Sequence, residues 1–242
     1  MTASPAITVS VVSHGQGGLM SSIVQDLARH VRMPIELILT LNIPEEFSPP
    51  ASRPGFSVEV IRNEQAQGFG ANHNAAFRQA RSAFFCVLNP DIRLDADPFP
   101  ALLRLFEEPA LAVAAPLIVG PSGEAEDSAR RFPTLLSLLK KAAGVATSLD
   151  YGSAQLPLAV DWVAGMFMLF RSEAFRAVGG FDERYFLYYE DADICRRLRQ
   201  SGFEVRLEPR CRATHFARRE SRRNARYLRW HLASMMRFLL SR

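Results

Sequence analysis

The sequence predicts an α/β protein built on a mixed, mostly parallel sheet with helices on both faces. The first 120 residues alternate strand-like and helix-like stretches, in β-α-β-α-β-α-β order. Several of the strand-like stretches are apolar throughout, as strands buried on both faces of a parallel sheet are. At 48% hydrophobic and 22% charged, 242 residues carry enough apolar surface to cover such a sheet without disulfide staples.

The elements follow in order. Residues 7–13 (ITVSVVS) are a β-branched run broken by Gly15, Gly17 and Gly18, before a helical pattern led by Leu19, Ile23, Leu27 and Val31. Residues 35–41 (IELILTL) read as a buried strand, and a Pro-rich loop from Pro44 to Pro54 separates them from the half-buried strand 57–62. Phe69 to Arg81 has helical period. The strand 84–88 (FFCVL) stops at Asn89-Pro90-Asp91, a Pro-led helix is expected near 98–108, and the strand 111–119 closes the series. Residues 120–160 turn polar and irregular, as an insertion over the sheet edge would. Beyond them are expected a strand over 162–170, a helix from Glu190 to Ser201, strands at 203–208 and 212–216, and a final helix from about Asn224 to Leu240. The whole chain, 1–242, reads as one domain, with a variable segment at about 120–160 and a basic C-terminal helix at about 218–242.

Composition excludes several classes. No apolar run approaches the length of a membrane span: the longest, Val163 to Phe170, is interrupted by Gly165. Met1 to Ser13 has no basic leader segment, and Cys86, Cys195 and Cys211 are odd in number with no CxxC spacing, so reduced thiols in a cytoplasmic protein are expected. The charge is lopsided. From Pro209 to Arg242 ten arginines face one acid, Glu220, so the tail is +9 and the first 208 residues about −5. Such a tail suits a polyanion: phosphate, an anionic membrane surface or nucleic acid. No zinc-finger spacing, RNP aromatics or helix-turn-helix pattern supports nucleic acid.

Asn89-Pro90-Asp91 follows an apolar strand, where a carboxylate is placed to hold a divalent cation carrying a diphosphate; the same residues also make an ordinary turn. Glu190, Asp191 and Asp193 open a helix. Capping accounts for one of them, while crowding raises carboxyl pKa values and suits a general base. Gly68-Phe69-Gly70 leads into a helix, a place where backbone amides meet anions.

Taken in order, these pieces resemble the inverting family 2 glycosyltransferases, in particular the bacterial rhamnosyltransferase-like branch of cell-surface polysaccharide synthesis. The resemblance rests on residues 162–204, with the Trp-x-x-Gly strand, Gly-Gly-Phe-Asp-Glu at 179–183 and Glu-Asp-x-Asp at 190–193, and on residues 63–91, with Gly-Phe-Gly and Asn-Pro-Asp. It implies a GT-A (Rossmann-like) fold and a metal-dependent enzyme using a nucleoside-diphosphate-sugar donor. By the same resemblance, Asp91 and His215 hold Mg²⁺ or Mn²⁺, with Asn89 nearby. Asp191, beside Glu190, deprotonates the hydroxyl of a glycan or lipid-linked acceptor. Ser13, Asn42, Gly68, Phe69, Asn74, Asn89 and Asp91 meet the donor, and Trp162, Gly165 and Glu190 meet the acceptor.

Three positions depart from the family pattern: Leu41 stands where an Asp usually reads the base, Ala66 where an Asn is common, and Ser13-His14-Gly15 replaces a Thr-Tyr-Asn-like end. They prompt an alternative reading, a degenerate sugar-nucleotide-binding protein. In the tail, Leu228, Leu232, Met235, Met236 and Leu239 recur at helical spacing. That stripe is expected to pack on the core or on a second subunit, with contact to an anionic bilayer as the other use of a basic amphipathic helix.

Overall fold

The computed structural model describes residues 6–134, 149–151, 155–216 and 225–241. Strands β1 (Ile7–Ser13), β2 (Ile35–Leu41) and β3 (Phe56–Arg62) pair in parallel, and β4 (Phe84–Leu88) pairs in parallel with the other side of β1. The crossovers are α1 (Gly17–His30) and α2 (Phe69–Gln79). The direction of winding therefore reverses between β1 and β4, which opens a crevice at the carboxyl ends of these strands.

After the short β5 (Ile92–Arg93) and α3 (Phe99–Leu105) comes β6 (Leu111–Val119), which does not join β4. Antiparallel β10 (Phe167–Arg171) lies between them, and β11 (Glu204–His215) runs parallel on the far side of β6. The sheet order is β3-β2-β1-β4-β10-β6-β11-β5, with β8 (Leu158–Ala159) also pairing β11. Side chains alternate across it. Cys86 and Leu88 of β4 join α1 and α3 in one core, while Phe85 and Val87 join α2, α4 (Ser172–Ala177) and α5 (Glu190–Gln200) in the other.

Two expected strands are built differently. The 162–170 run divides into β9 (Trp162–Val163), paired with β7 (Ala129–Arg130), and β10, because the backbone at Gly165 leaves the ladder to bond a side chain of α5. The strands expected at 203–208 and 212–216 are one strand, β11, with a register shift between Glu208 and Arg212; Pro209 there has no N–H for a ladder. Of the 120–160 segment, 135–148 and 152–154 lie outside the described residues. The rest supplies β7, β8 and a loop that reaches the carboxyl ends of β6 and β11. The last helix, α6 (Ala225–Leu240), docks with Ser234 and Phe238 buried, whereas Leu228, Leu232 and Met236 of the expected docking stripe are exposed. These three face away from the core while Met235 and Leu239 are half-buried, because the aromatic face of the helix finds its partners in the 185–189 loop.

Candidate active site

The crevice begins at the ends of β1 and β2. Ser13 is buried, and its Oγ accepts the amide of Gln16, tying β1 to the start of α1. Asn42 acts as a clamp: its Oδ1 accepts the Gln67 amide at 2.7 Å and Asn63 Nδ2 at 3.0 Å, and its Nδ2 donates to the Gln67 carbonyl at 3.0 Å. It thereby fixes the 63–67 loop that delivers Gly68. Leu41, in contrast, is a core residue.

Gly68 caps α2 at very close quarters. A Cβ there would stand 2.9 Å from the Phe186 carbonyl oxygen and 3.0 Å from its Cα, while the Phe69 amide donates to that same carbonyl. Only glycine lets α2 meet the 185–189 loop this closely. Asn74 serves the scaffold. Its Oδ1 accepts the Phe181 amide and its Nδ2 donates to the Phe181 carbonyl and Glu183, so its side chain is spent on holding the Gly179–Glu183 turn.

The acids of α5 have separate duties. Asp193 is buried in ion pairs with Arg197 (2.7 Å) and Arg196 (3.1 Å), one helical turn on, and is structural. Asp191 is partly buried; its Oδ2 accepts the Gly165 amide at 3.0 Å and its Oδ1 the Ala192 amide at 2.8 Å. Glu190 is buried, and its Oε2 has no hydrogen-bond partner. Burial and the neighbouring Asp191 charge push the Glu190 carboxyl well above the carboxylate range. Asp191 is also raised by burial, though the Gly165 and Ala192 amides and Arg130 pull it back. With two amides on Asp191 and no donor on Glu190 Oε2, negative charge is better held on Asp191 than on Glu190. Phe69 and Gly165 complete the floor, since a Cβ on Gly165 would sit 3.0 Å from the Phe69 ring. The Arg130 guanidinium lies over Trp162, 5.1 Å from the centroid of its ring, and the indole N–H donates to the Arg131 carbonyl.

Asn89-Pro90-Asp91 lies next door. The Asn89 amide donates to the Met166 carbonyl at 2.9 Å, so the residue after Gly165 ties the end of β4 to the backbone that holds Asp191. Asp91 Oδ2 is 3.3 Å from His215 Nε2, and Asp91 Oδ1 is buried with no partner. An orphaned carboxylate oxygen beside an imidazole nitrogen suits a hard or borderline divalent cation. Among the described residues no three His, Cys, Asp or Glu side chains converge as a closed metal site, so a cation here would take its other ligands from water or a bound diphosphate. Sequence reasoning missed Glu126, whose Oε2 lies 2.7 Å from His215 Nδ1. Nothing in the sequence at 120–128 sets Glu126 apart from its neighbours Glu124 and Asp127. Burial alone would lower His215, but the hydrogen bonds to Asp91 and Glu126 outweigh it and push the ring up to about 9.

A parallel sheet with one antiparallel strand at its centre, and carboxylates gathered at the crevice, is the architecture of the GT-A glycosyltransferases. The fold matches the mannosyltransferase PcManGT of Pyrobaculum calidifontis, solved with GDP-Man and Mn²⁺, with a TM-score of 0.64 at 14% identity over 98% of this chain and 65% of that one. The description "Glycosyltransferase like family 2" matches residues 5–236, and the chain belongs to that family. It is 33% identical over 189 residues to the rhamnosyltransferase WbbL of Escherichia coli (strain K12), covering 71% of this chain and 70% of that protein. It is 26% identical over 264 residues to the N-acetylglucosaminyl-diphospho-decaprenol L-rhamnosyltransferase of Mycobacterium tuberculosis (strain ATCC 25618 / H37Rv), covering 98% and 84%.

Proposed function

We propose that this glycosyltransferase moves a rhamnosyl group from a nucleoside-diphosphate donor to a hydroxyl of a lipid-linked, N-acetylglucosaminyl-diphosphate acceptor, with inversion. The observation that carries the reading is the backbone at 165–166: the Gly165 amide holds Asp191, and the Met166 carbonyl holds the turn that bears Asp91. A proton acceptor and a carboxylate for the diphosphate end thus flank one two-residue segment. The names of the curated relatives support the choice of sugar and acceptor.

In this reading the acceptor lies over Trp162 and Gly165. Asp191 takes the hydroxyl proton as the oxygen attacks the anomeric carbon from the face opposite the leaving group. The bond to the diphosphate breaks, and its electron pair leaves with the nucleoside diphosphate. Glu190, held neutral, keeps the negative charge of the pair on Asp191. Phe69 and the backbone at Gly68 line the donor side, where Ser13 and Asn42 shape the wall. Asp91 and His215 would hold a Mg²⁺ or Mn²⁺ ion, which when bound neutralises the departing diphosphate. Glu126 orients His215 from behind, fixing which nitrogen faces Asp91.

The test is nucleoside-diphosphate release from a panel of nucleoside-diphosphate sugars, with and without Mn²⁺, plus an N-acetylglucosaminyl-diphospho-lipid acceptor. The rhamnosyl donor should turn over fastest, and product should appear on the lipid. The buried Leu41 in place of a base-reading acid favours the alternative, a sugar-nucleotide-binding protein; tight binding of a donor with no turnover for any acceptor would establish it.

A further inference from the structure

Helix α6 meets the body of the protein through one narrow face. The Trp230 ring lies 4.5 Å from Phe186, and His231 lies 5.3 Å from Tyr188 and 5.4 Å from Tyr189. Ser234 donates to the Leu187 carbonyl at 2.9 Å, and Phe238 sits beneath the Arg196 guanidinium at 4.0 Å. At about 100° per residue, the opposite face carries Leu228, Leu232, Met236 and Leu240 at i, i+4, i+8 and i+12. These four side chains are 60%, 47%, 50% and 75% exposed. They form an apolar ridge roughly 18 Å long, on a helix whose only ionised side chains are Arg226, Arg229 and Arg237.

A helix docked by one face ordinarily turns its other face polar. Here both faces are apolar and every charge on the helix is positive. Arg229 falls within the arc of the ridge, so two copies meeting ridge to ridge would bring like charges together, with no carboxylate on either helix between them. An anionic bilayer supplies a hydrocarbon boundary for the ridge and phosphates complementary to the positive charge of Arg229.

We propose that α6 is a membrane-surface helix, lying in the interface of an anionic bilayer with Leu228, Leu232, Met236 and Leu240 inserted and Arg229 at the level of the lipid phosphates. This deepens the reading given above and rests on it in one respect, that the acceptor is lipid-linked. The docked face of the same helix grips residues 185–189, which run directly into Glu190 and Asp191. Tyr188 and Tyr189 hold left-handed backbone there, at φ 71° and 67°, a costly conformation that the contacts with His231 help to maintain. The helix that enters the lipid therefore also carries the loop that positions the base, and the active site opens where a lipid-linked acceptor is embedded.

The experiment is co-sedimentation of the full chain with vesicles of phosphatidylglycerol and phosphatidylcholine, against vesicles of phosphatidylcholine alone. The comparison variant is Leu228→Ser, Leu232→Ser, Met236→Ser and Leu240→Ser together. Wild type should bind the anionic vesicles at least 10-fold more tightly than the neutral ones, and the variant should lose at least 10-fold of that binding. Its melting temperature and its donor hydrolysis without vesicles should be unchanged, since the ridge touches neither core nor site. No binding by wild type, or equal binding by the variant, would overturn the proposal. So would a concentration-dependent dimer, seen by analytical ultracentrifugation, that the four substitutions abolish without affecting vesicle binding. Because vesicle binding needs no acceptor, binding without transfer to the lipid-linked substrate would retire the acceptor assignment and leave the helix proposal standing.

Discussion

Replacing Asp191 with asparagine separates its two duties. The carboxylate accepts the Gly165 amide through one oxygen and the Ala192 amide through the other. An amide side chain has one acceptor oxygen, so Asp191→Asn leaves one of these N–H groups without its partner, a cost of about 1–2 kcal/mol in stability. For a chain of this size that is a drop in melting temperature of about 2–8 °C. Catalysis should suffer far more. Removing a general base costs about 10²–10⁴-fold, or roughly 3–5 kcal/mol of barrier. Because the proton moves only in the transition state, kcat and kcat/KM should fall together while the donor KM stays near that of wild type. Steady-state nucleoside-diphosphate release, measured well below the variant's melting temperature, gives both constants. Wild-type rates should rise with pH through a carboxyl lying above the usual aspartate range, since burial raises Asp191 and the base works deprotonated. A variant within tenfold of wild-type kcat, or a Glu190→Gln variant more damaged than Asp191→Asn, would refute the assignment of the base.

Three further outcomes are expected. Asp91→Ala should abolish the dependence of turnover on added Mn²⁺ or Mg²⁺ and remove heat of Mn²⁺ binding in calorimetry, while the circular dichroism spectrum is retained. In chelator-treated protein, His215 at about 9 lies above its unfolded value near 6.5, so its contribution to stability is complete below about 6.5 and is lost as pH rises through 9. Urea unfolding at pH 6 and 9.5 should differ by about 1–3 kcal/mol after discounting for solvent, and both His215→Gln and Glu126→Gln should shrink that difference. Gly68→Ala places a methyl group 2.9 Å from a backbone oxygen that has no rotamer with which to yield, so it should lower stability by about 1–3 kcal/mol, seen as a lower urea midpoint, and weaken donor binding.

The strands were legible because burial on both faces leaves nothing polar in them: Ile35–Leu41 and Leu111–Val119 contain one acid, one Thr and one Pro among otherwise apolar residues. That Asp91 follows a strand end and that Glu190 and Asp191 open a helix was legible, because acids at such places are few and their neighbours are distinctive. Glu126 was hidden, since its role depends on a loop meeting β11 nearly ninety positions later, and no local pattern encodes that encounter. Asn42 and Asn74 were expected to face the donor. In the structure Asn42 bonds the Gln67 backbone and Asn63, and Asn74 bonds the Phe181 backbone and Glu183, contacts that residue type alone cannot reveal. The helical period of the tail was plain, yet with apolar residues on both sides it could not say which side docks; the ring pairs Trp230–Phe186 and His231–Tyr189 decide that.

The antiparallel strand at the centre of the sheet also governs how the chain must be made. Once residue 119 has been synthesised, β3, β2, β1 and β4 can assemble among themselves, but β6 has no neighbour. Both of its flanking strands, β10 at 167–171 and β11 at 204–215, are still to come. At ribosomal speeds of about 5–20 residues per second, β6 waits several seconds for its first partner and longer for its second. Throughout that interval a nine-residue apolar segment and the open side of β4 are available to other nascent chains. Pro116 withholds one amide from any such mispairing, and the delay gives the host's chaperones a defined stretch to shield. Release of the chain near residue 160 would thus leave β6 unpaired on both sides and β4 on one, whereas the residues through the end of β11 cover all three edges.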